Sequence, residues 1–205
     1  MALTNYSQLK SAVSDWLNRA DIDSQVPDFI ALAEARFNRE LRVSQMVGRY
    51  TNTSSSGYMT MPTDWLETIT FMTTGNPPRH LEYLRNADMN HARASQITGD
   101  PRYYTIIDDN ALIIPAPSGE LGFELVYYKK ITALSDADTT NWLLTGHPDI
   151  YLYASLVAAE PYLKNDERVM TWAALLKQAM DGLAYADERA KRPSGGFNAR
   201  RRTFG

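Results

Sequence analysis

The chain has 205 residues, 44% hydrophobic and 22% charged, the balance of an ordinary globular protein with enough apolar content for a sizeable core. It contains no cysteine, which excludes disulfides, thiolate metal sites and a cysteine nucleophile, and it has no apolar run long enough to span a bilayer. The net charge of −3 is unevenly spread: residues 189–205 hold six bases and no acid, leaving 15 bases against 24 acids, or −9, for the body. A body and a terminal arm of opposite sign form the pattern of an interaction tail, aimed at either nucleic acid or an acidic protein surface. The first residues carry neither the charged start nor the apolar block of a signal peptide, so folding in the cytosol is expected.

In chain order, residues 4–19 read as a helix capped by Thr4, with Leu9, Ala12, Val13, Trp16 and Leu17 on one face. A second helix starts near Val26 and tolerates Pro27 in its first turn. Its predicted buried face is Phe29, Ile30, Ala33, Phe37 and Leu41, its outer face Glu34, Arg36, Arg39, Glu40 and Arg42, and its stop Gly48. From Arg49 to Ile131 helical periodicity gives way to Thr, Tyr, Ile and turn residues. Strands at 49–53 and 58–62 flank Ser54–Gly57 as a predicted hairpin, and strands at 68–73 and 79–84 flank a Gly-Asn-Pro-Pro turn. A short helix is predicted over 86–95. A three-stranded meander follows over 102–107, 111–114 and 120–130, with turns at Asp108–Asn110 and 115–119. Helix returns at 140–144, ended by Gly146. The next helix opens at His147-Pro148-Asp149, buries Leu152, Tyr153, Leu156 and Val157, and closes near Leu163.

A last helix begins at Asp166 and carries Val169, Trp172, Ala173, Leu176, Met180, Leu183 and Ala184 on one face, with Arg189, Lys191 and Arg192 at its positive end. Pro193, Gly195 and Gly196 stop it. The remaining stretch, with Phe197, Arg200, Arg201, Arg202 and Phe204, has no period that packs on the chain's own core, so its shape is expected to come from another molecule. The fold class is therefore α+β. Residues 1–48 and 132–192 are expected to form a four-helix bundle of two helical hairpins, 49–131 a small antiparallel β-sandwich or barrel insertion, and 193–205 an extended basic arm.

Chemistry-bearing patterns are sparse. His80, His91 and His147 lack ligand spacing, so no metal is expected. Asp108-Asp109, Asp136 and Asp138 read as turn residues, and neither pair has the looped ligand set of calcium. No phosphate-cradling glycine loop or nucleophile elbow is present, and no cofactor is expected. Tyr103, Tyr104, Tyr127 and Tyr128 alternate across strands as sheet packing, and Tyr151, Tyr153 and Tyr162 as helix contacts.

The order helical hairpin, β insertion, helical hairpin, basic tail resembles the head-to-tail adaptor (connector) proteins of tailed bacteriophages, particularly the short-tailed type. The residues that carry the resemblance are Asp-Trp-Leu-Asn-Arg at 15–19, Phe-Ile-Ala-Leu-Ala-Glu-Ala-Arg-Phe-Asn-Arg-Glu-Leu at 29–41, and Tyr-Met-Thr-Met-Pro-Thr-Asp-Trp at 58–65. The strand Ala-Leu-Ile-Ile-Pro at 111–115 and the closing hairpin through Ala-Asp-Glu-Arg at 186–189 complete it. The resemblance implies a virion protein at the head–tail interface, assembled in the host cytoplasm as a ring of twelve copies. Its implied partners are the portal protein above and tail (nozzle or tube) proteins below, with packaged DNA passing through the channel unbound and no membrane. By position it also implies Phe197, Arg200, Arg201, Arg202 and Phe204 as portal contacts, and no enzymatic activity.

Two rival functions stay open on the residues alone. Three consecutive arginines between phenylalanines suit nucleic acid, contacting phosphates and stacking on bases. A peptidoglycan hydrolase would need paired carboxylates such as Glu34 and Glu40, but the periodicity places both on an outer face with no apolar setting to raise a pKa.

Overall fold

The computed structural model describes residues 3–19, 21–95, 98–163 and 168–192, an α+β chain with seven α-helices and two sheets among them. It divides into two compact units, Met1–Arg36 with Ala133–Gly205, and Phe37–Thr132. Residues 193–205, and with them the expected contacts Phe197, Arg200, Arg201, Arg202 and Phe204, lie outside the described residues, as does the expected cap Asp166.

In the first unit, α1 (Tyr6–Leu17) is capped by Asn5 rather than Thr4: Asn5 Oδ1 accepts from Gln8 N at 2.9 Å, while the Gln8 side chain accepts from Thr4 N at 2.8 Å. Leu9, Ala12, Val13 and Leu17 are buried as the spacing demands. Trp16 departs from that stripe: it is 45% exposed, its ring edge-on to Tyr153 at 6.1 Å. The second helix, α2 (Val26–Glu40), starts in this unit and ends in the other. Helices α4 (Trp142–Gly146), α5 (Pro148–Ala158), α6 (Glu160–Leu163) and α7 (Val169–Lys191) complete the unit. The centre is α5, which contacts α1, α4, α6 and α7. It buries Ile150, Tyr151, Leu152, Ala154, Ser155 and Leu156, so its apolar surface runs round the helix instead of along one stripe. Tyr153 and Val157, expected inside, are only half-buried.

The second unit takes up α2 at Phe37. The helix stops at Glu40, well short of Gly48, and a 3-10 turn (Ser44–Met46) leads into β1 (Val47–Ser54). Gly48 is a strand residue opposite Tyr127, and a Cβ there would sit 3.2 Å from that ring. The glycine thus admits an aromatic ring against the backbone and does not end a helix. The other elements are β2 (Tyr58–Thr60), β3 (Trp65–Thr73), β4 (Glu82–Tyr83), α3 (Asn86–Ser95), β5 (Tyr103–Ile107), β6 (Asn110–Ile114) and β7 (Leu121–Lys129).

Three predicted pairings are replaced. β1 and β2 flank the Ser54–Gly57 turn but join different sheets, ordered β1-β7-β3 and β2-β6-β5-β4. β3 and the following segment pair only through the Met72–His80 bridge and its neighbours before β4 crosses to lie parallel to β5. The expected meander is a β5–β6 hairpin, while β7 leaves to become the central strand of the other sheet. One buried cluster draws Met59, Tyr104, Ala111 and Ile113 from one sheet and Phe71, Phe123, Leu125 and Tyr127 from the other. Phe71 meets Tyr104 edge-on at 5.0 Å. Met89 of α3 packs separately with Leu112 and Ile114.

Candidate functional site

Glu34 is the most deeply buried carboxylate of the helical unit, at 6% exposure. Placed on an outer face by its residue type, it instead falls at 4, 3 and 4 residues from Ile30, Phe37 and Leu41, inside the apolar stripe of α2. Its Oε1 accepts from Leu134 N at 2.8 Å and from the Tyr151 hydroxyl at 3.1 Å. The same hydroxyl accepts from Asn141 Nδ2 at 2.6 Å, and Asn141 Oδ1 caps α4 by accepting from Leu144 N at 2.9 Å. Four segments are tied to one polar node. Loss of water raises the Glu34 pKa, and the two hydrogen bonds hold it back. Burial, helped by the Glu34 charge, drives the Tyr151 phenol far above its ordinary value.

The apolar setting absent from the sequence reading is therefore real, but it does not make a catalytic pair. Glu40 lies six residues further along α2, about 9 Å along the helix axis. It faces solvent while Glu34 faces the helical core, so the two carboxylates do not converge. What the node does is fix the return of the chain at Leu134 against α2 and α5.

The helix that delivers the basic arm is anchored at both ends. At its start the Arg168 guanidinium lies over the Trp172 ring at 5.0 Å and donates to Trp16 O at 3.2 Å. Trp172, Leu176 and Leu183 are buried on the predicted face of α7. Asp187 joins them at its end, paired with Lys191 at 2.6 Å one turn on. The sequence reading missed Asp187, although it lies four residues after Leu183 on the same stripe. Met170 and Tyr185 are 79% and 71% exposed.

The remaining candidates are structural. Asp108 occupies the left-handed region at φ 55° in the β5–β6 turn. Asp136 pairs with Lys10 at 3.0 Å, and Asp138 N donates to Ser135 Oγ at 2.9 Å in a loop turn. Tyr104 and Tyr127 are buried, Tyr103 and Tyr128 half-buried. The Tyr127 hydroxyl donates to Asp64 at 2.9 Å, and burial together with that carboxylate pushes its pKa up to about 12. His80 lies in a strand bridge and His147 starts α5. Among the described residues no cluster of three or more His, Cys, Asp or Glu could hold a metal ion.

Against known proteins, the family model described as SU10 adaptor protein matches residues 4–201, nearly the whole chain. The chain belongs to this family. It is a phage head-to-tail adaptor. No curated protein matches it. As an adaptor it is a virion component whose partners, in general terms, are portal and tail proteins. Among the described residues of the adaptor no helix is long and apolar enough to cross a membrane.

Proposed function

We propose that this adaptor is a structural connector of a short-tailed phage. Copies close into a ring of twelve that docks on the portal, continues the DNA channel and offers a platform to tail proteins. Residues 1–48 and 132–192 are the wedge-shaped bundle of each subunit, 49–131 its sandwich-like β insertion, and 193–205 the arm that runs onto the portal. The family match over residues 4–201 carries this reading. The anchoring of α7 supports it, because a helix held at Arg168–Trp172 and Asp187–Lys191 gives the arm a firm root. Arg200, Arg201 and Arg202 suit carboxylates on the portal, and Phe197 and Phe204 supply apolar anchors. The subunit's role requires no chemistry, and the acidic body suits a channel through which DNA slides without sticking.

Truncation after Lys191 tests the arm. The shortened protein is expected to keep its helical circular dichroism and melting temperature and to lose portal binding. Normal docking by the shortened protein would sink the role given to residues 193–205.

A further inference from the structure

Four strands form the sheet edges among the described residues, and three of them are protected in recognisable ways. β2 and β4 are three and two residues long. β3 has register shifts between Trp65 and Glu67 and between Thr68 and Thr70, and its far end is covered where Thr73 N donates to Arg79 O and Leu81 N to Phe71 O. Short strands, bulges and covering segments are the usual defences against edge-to-edge pairing. β1 has none of them. Its eight residues run in unbroken register with β7 from Val47–Tyr128 to Ser54–Leu121, with no proline and with Arg49 as its sole charge. Among the described residues no backbone hydrogen bond reaches its outer side.

The other edge of the same sheet is β3. Both strands run antiparallel to β7, so they run parallel to each other on opposite sides of it. A rotation about an axis along the strands preserves that direction. It brings the β1 edge of one copy beside the β3 edge of the next, which is a head-to-tail contact that closes into a ring. The edge charges are complementary. Arg49 on β1 pairs with Glu124 within its own sheet, and Glu67 on β3 pairs with Arg42 at 2.8 Å. Their side chains remain 69% and 58% exposed, so each keeps room for a second partner of opposite sign. Arg49 stands level with Val126 of β7 and Glu67 level with Tyr128, an offset of two residues that a staggered sheet closes.

We infer that the β1 edge of one subunit adds to the β3 edge of a second copy of this chain, joining the three-stranded sheets of neighbours into one circular sheet with Arg49 beside the neighbour's Glu67. This rests on the ring reading above and names its contact. The cysteine-free chain makes the test direct. The full-length Arg49→Cys/Glu67→Cys double variant is mildly oxidised, alone and with purified portal protein, while light scattering reports the oligomeric state. Within one copy the two cysteines flank β7 at about 9.6 Å between Cα atoms, beyond disulfide reach, so any bond formed joins two copies.

The expected result is a reducible ladder above the dimer on a denaturing gel, with neither single variant passing the dimer. Oligomers without a ladder overturn the edge contact, keep the ring, and leave β1 to a strand of another protein. A dimer formed by Arg49→Cys alone assigns β1 to a two-fold pair and overturns the head-to-tail contact. Monomers throughout, with portal present and no ladder, overturn the contact and the ring reading together.

Discussion

The Glu34 carboxylate has given up nearly all of its water for two hydrogen bonds, and that exchange sets how stability responds to it. Its folded pKa is raised, so its favourable contribution is complete while the group is protonated and declines as pH rises through the folded value. Glu34→Gln keeps an acceptor for Leu134 N and Tyr151 without the buried charge. Urea unfolding is expected to place this variant within about 1 kcal/mol of the parent at pH 7, with a flatter pH dependence of stability from pH 4 upward. Glu34→Ala strands both donors and opens a void, and is expected to cost about 2–4 kcal/mol. A harmless Glu34→Ala would show that the node holds nothing together. The phenols behave alike at the other end of the scale. Tyr151 and Tyr127 both have raised pKa values, so their contributions are complete below about pH 10 and vanish as pH climbs further. Phenolate absorbance followed against pH should therefore show these two ionising last, coincident with loss of helical signal and not before it.

Elements whose faces are set by their own period were legible; partners set by distant residues were not. The stripes of α1 and α7 follow from three-and-four spacing, and α3 was placed at its observed bounds. Glu34 and Asp187 sat in those same stripes and went unread because a charged residue type was set against position, although position decides what a helix buries. Strands were found where alternation and turn residues mark them, but alternation does not say which edge a strand will meet. β7 pairs with β1, whose Arg49 lies 75 residues away from Glu124, and no local signal encodes that choice. One glycine shows how tight the result is. A Cβ on Gly122 of β7 would lie 2.2 Å from Thr74 Oγ1, just beyond the end of β3, while Thr74 N donates to Gly122 O at 2.8 Å. Gly122→Ala is expected to cost about 1–3 kcal/mol in chemical denaturation. Adding Thr74→Ala removes the offending oxygen and should recover most of that loss, since neighbouring substitutions couple. Simple additivity of the two would mean that the strands part without resisting.

At the scale of the whole molecule the charge division separates the two targets left open for the arm. The body carries −9 and residues 189–205 carry +6, so long-range attraction acts mainly between the arm and whatever negative surface it meets. If duplex DNA were that surface, Arg192, Arg200, Arg201 and Arg202 would displace counterions from about four phosphates. The affinity would then fall with a log–log salt slope of about −3.6. A portal contact through arginine forks and buried phenylalanines depends on salt less steeply, because part of its free energy comes from apolar anchors that salt does not screen. Titrations of the full-length protein against purified portal between 50 and 300 mM salt should accordingly give a shallow slope, and excess duplex DNA should leave the complex intact. Phe204→Ala is expected to weaken the complex about tenfold or more, as a central anchor does. A steep slope, displacement by DNA and indifference to Phe204 would together move the arm from the portal to the nucleic acid in the channel.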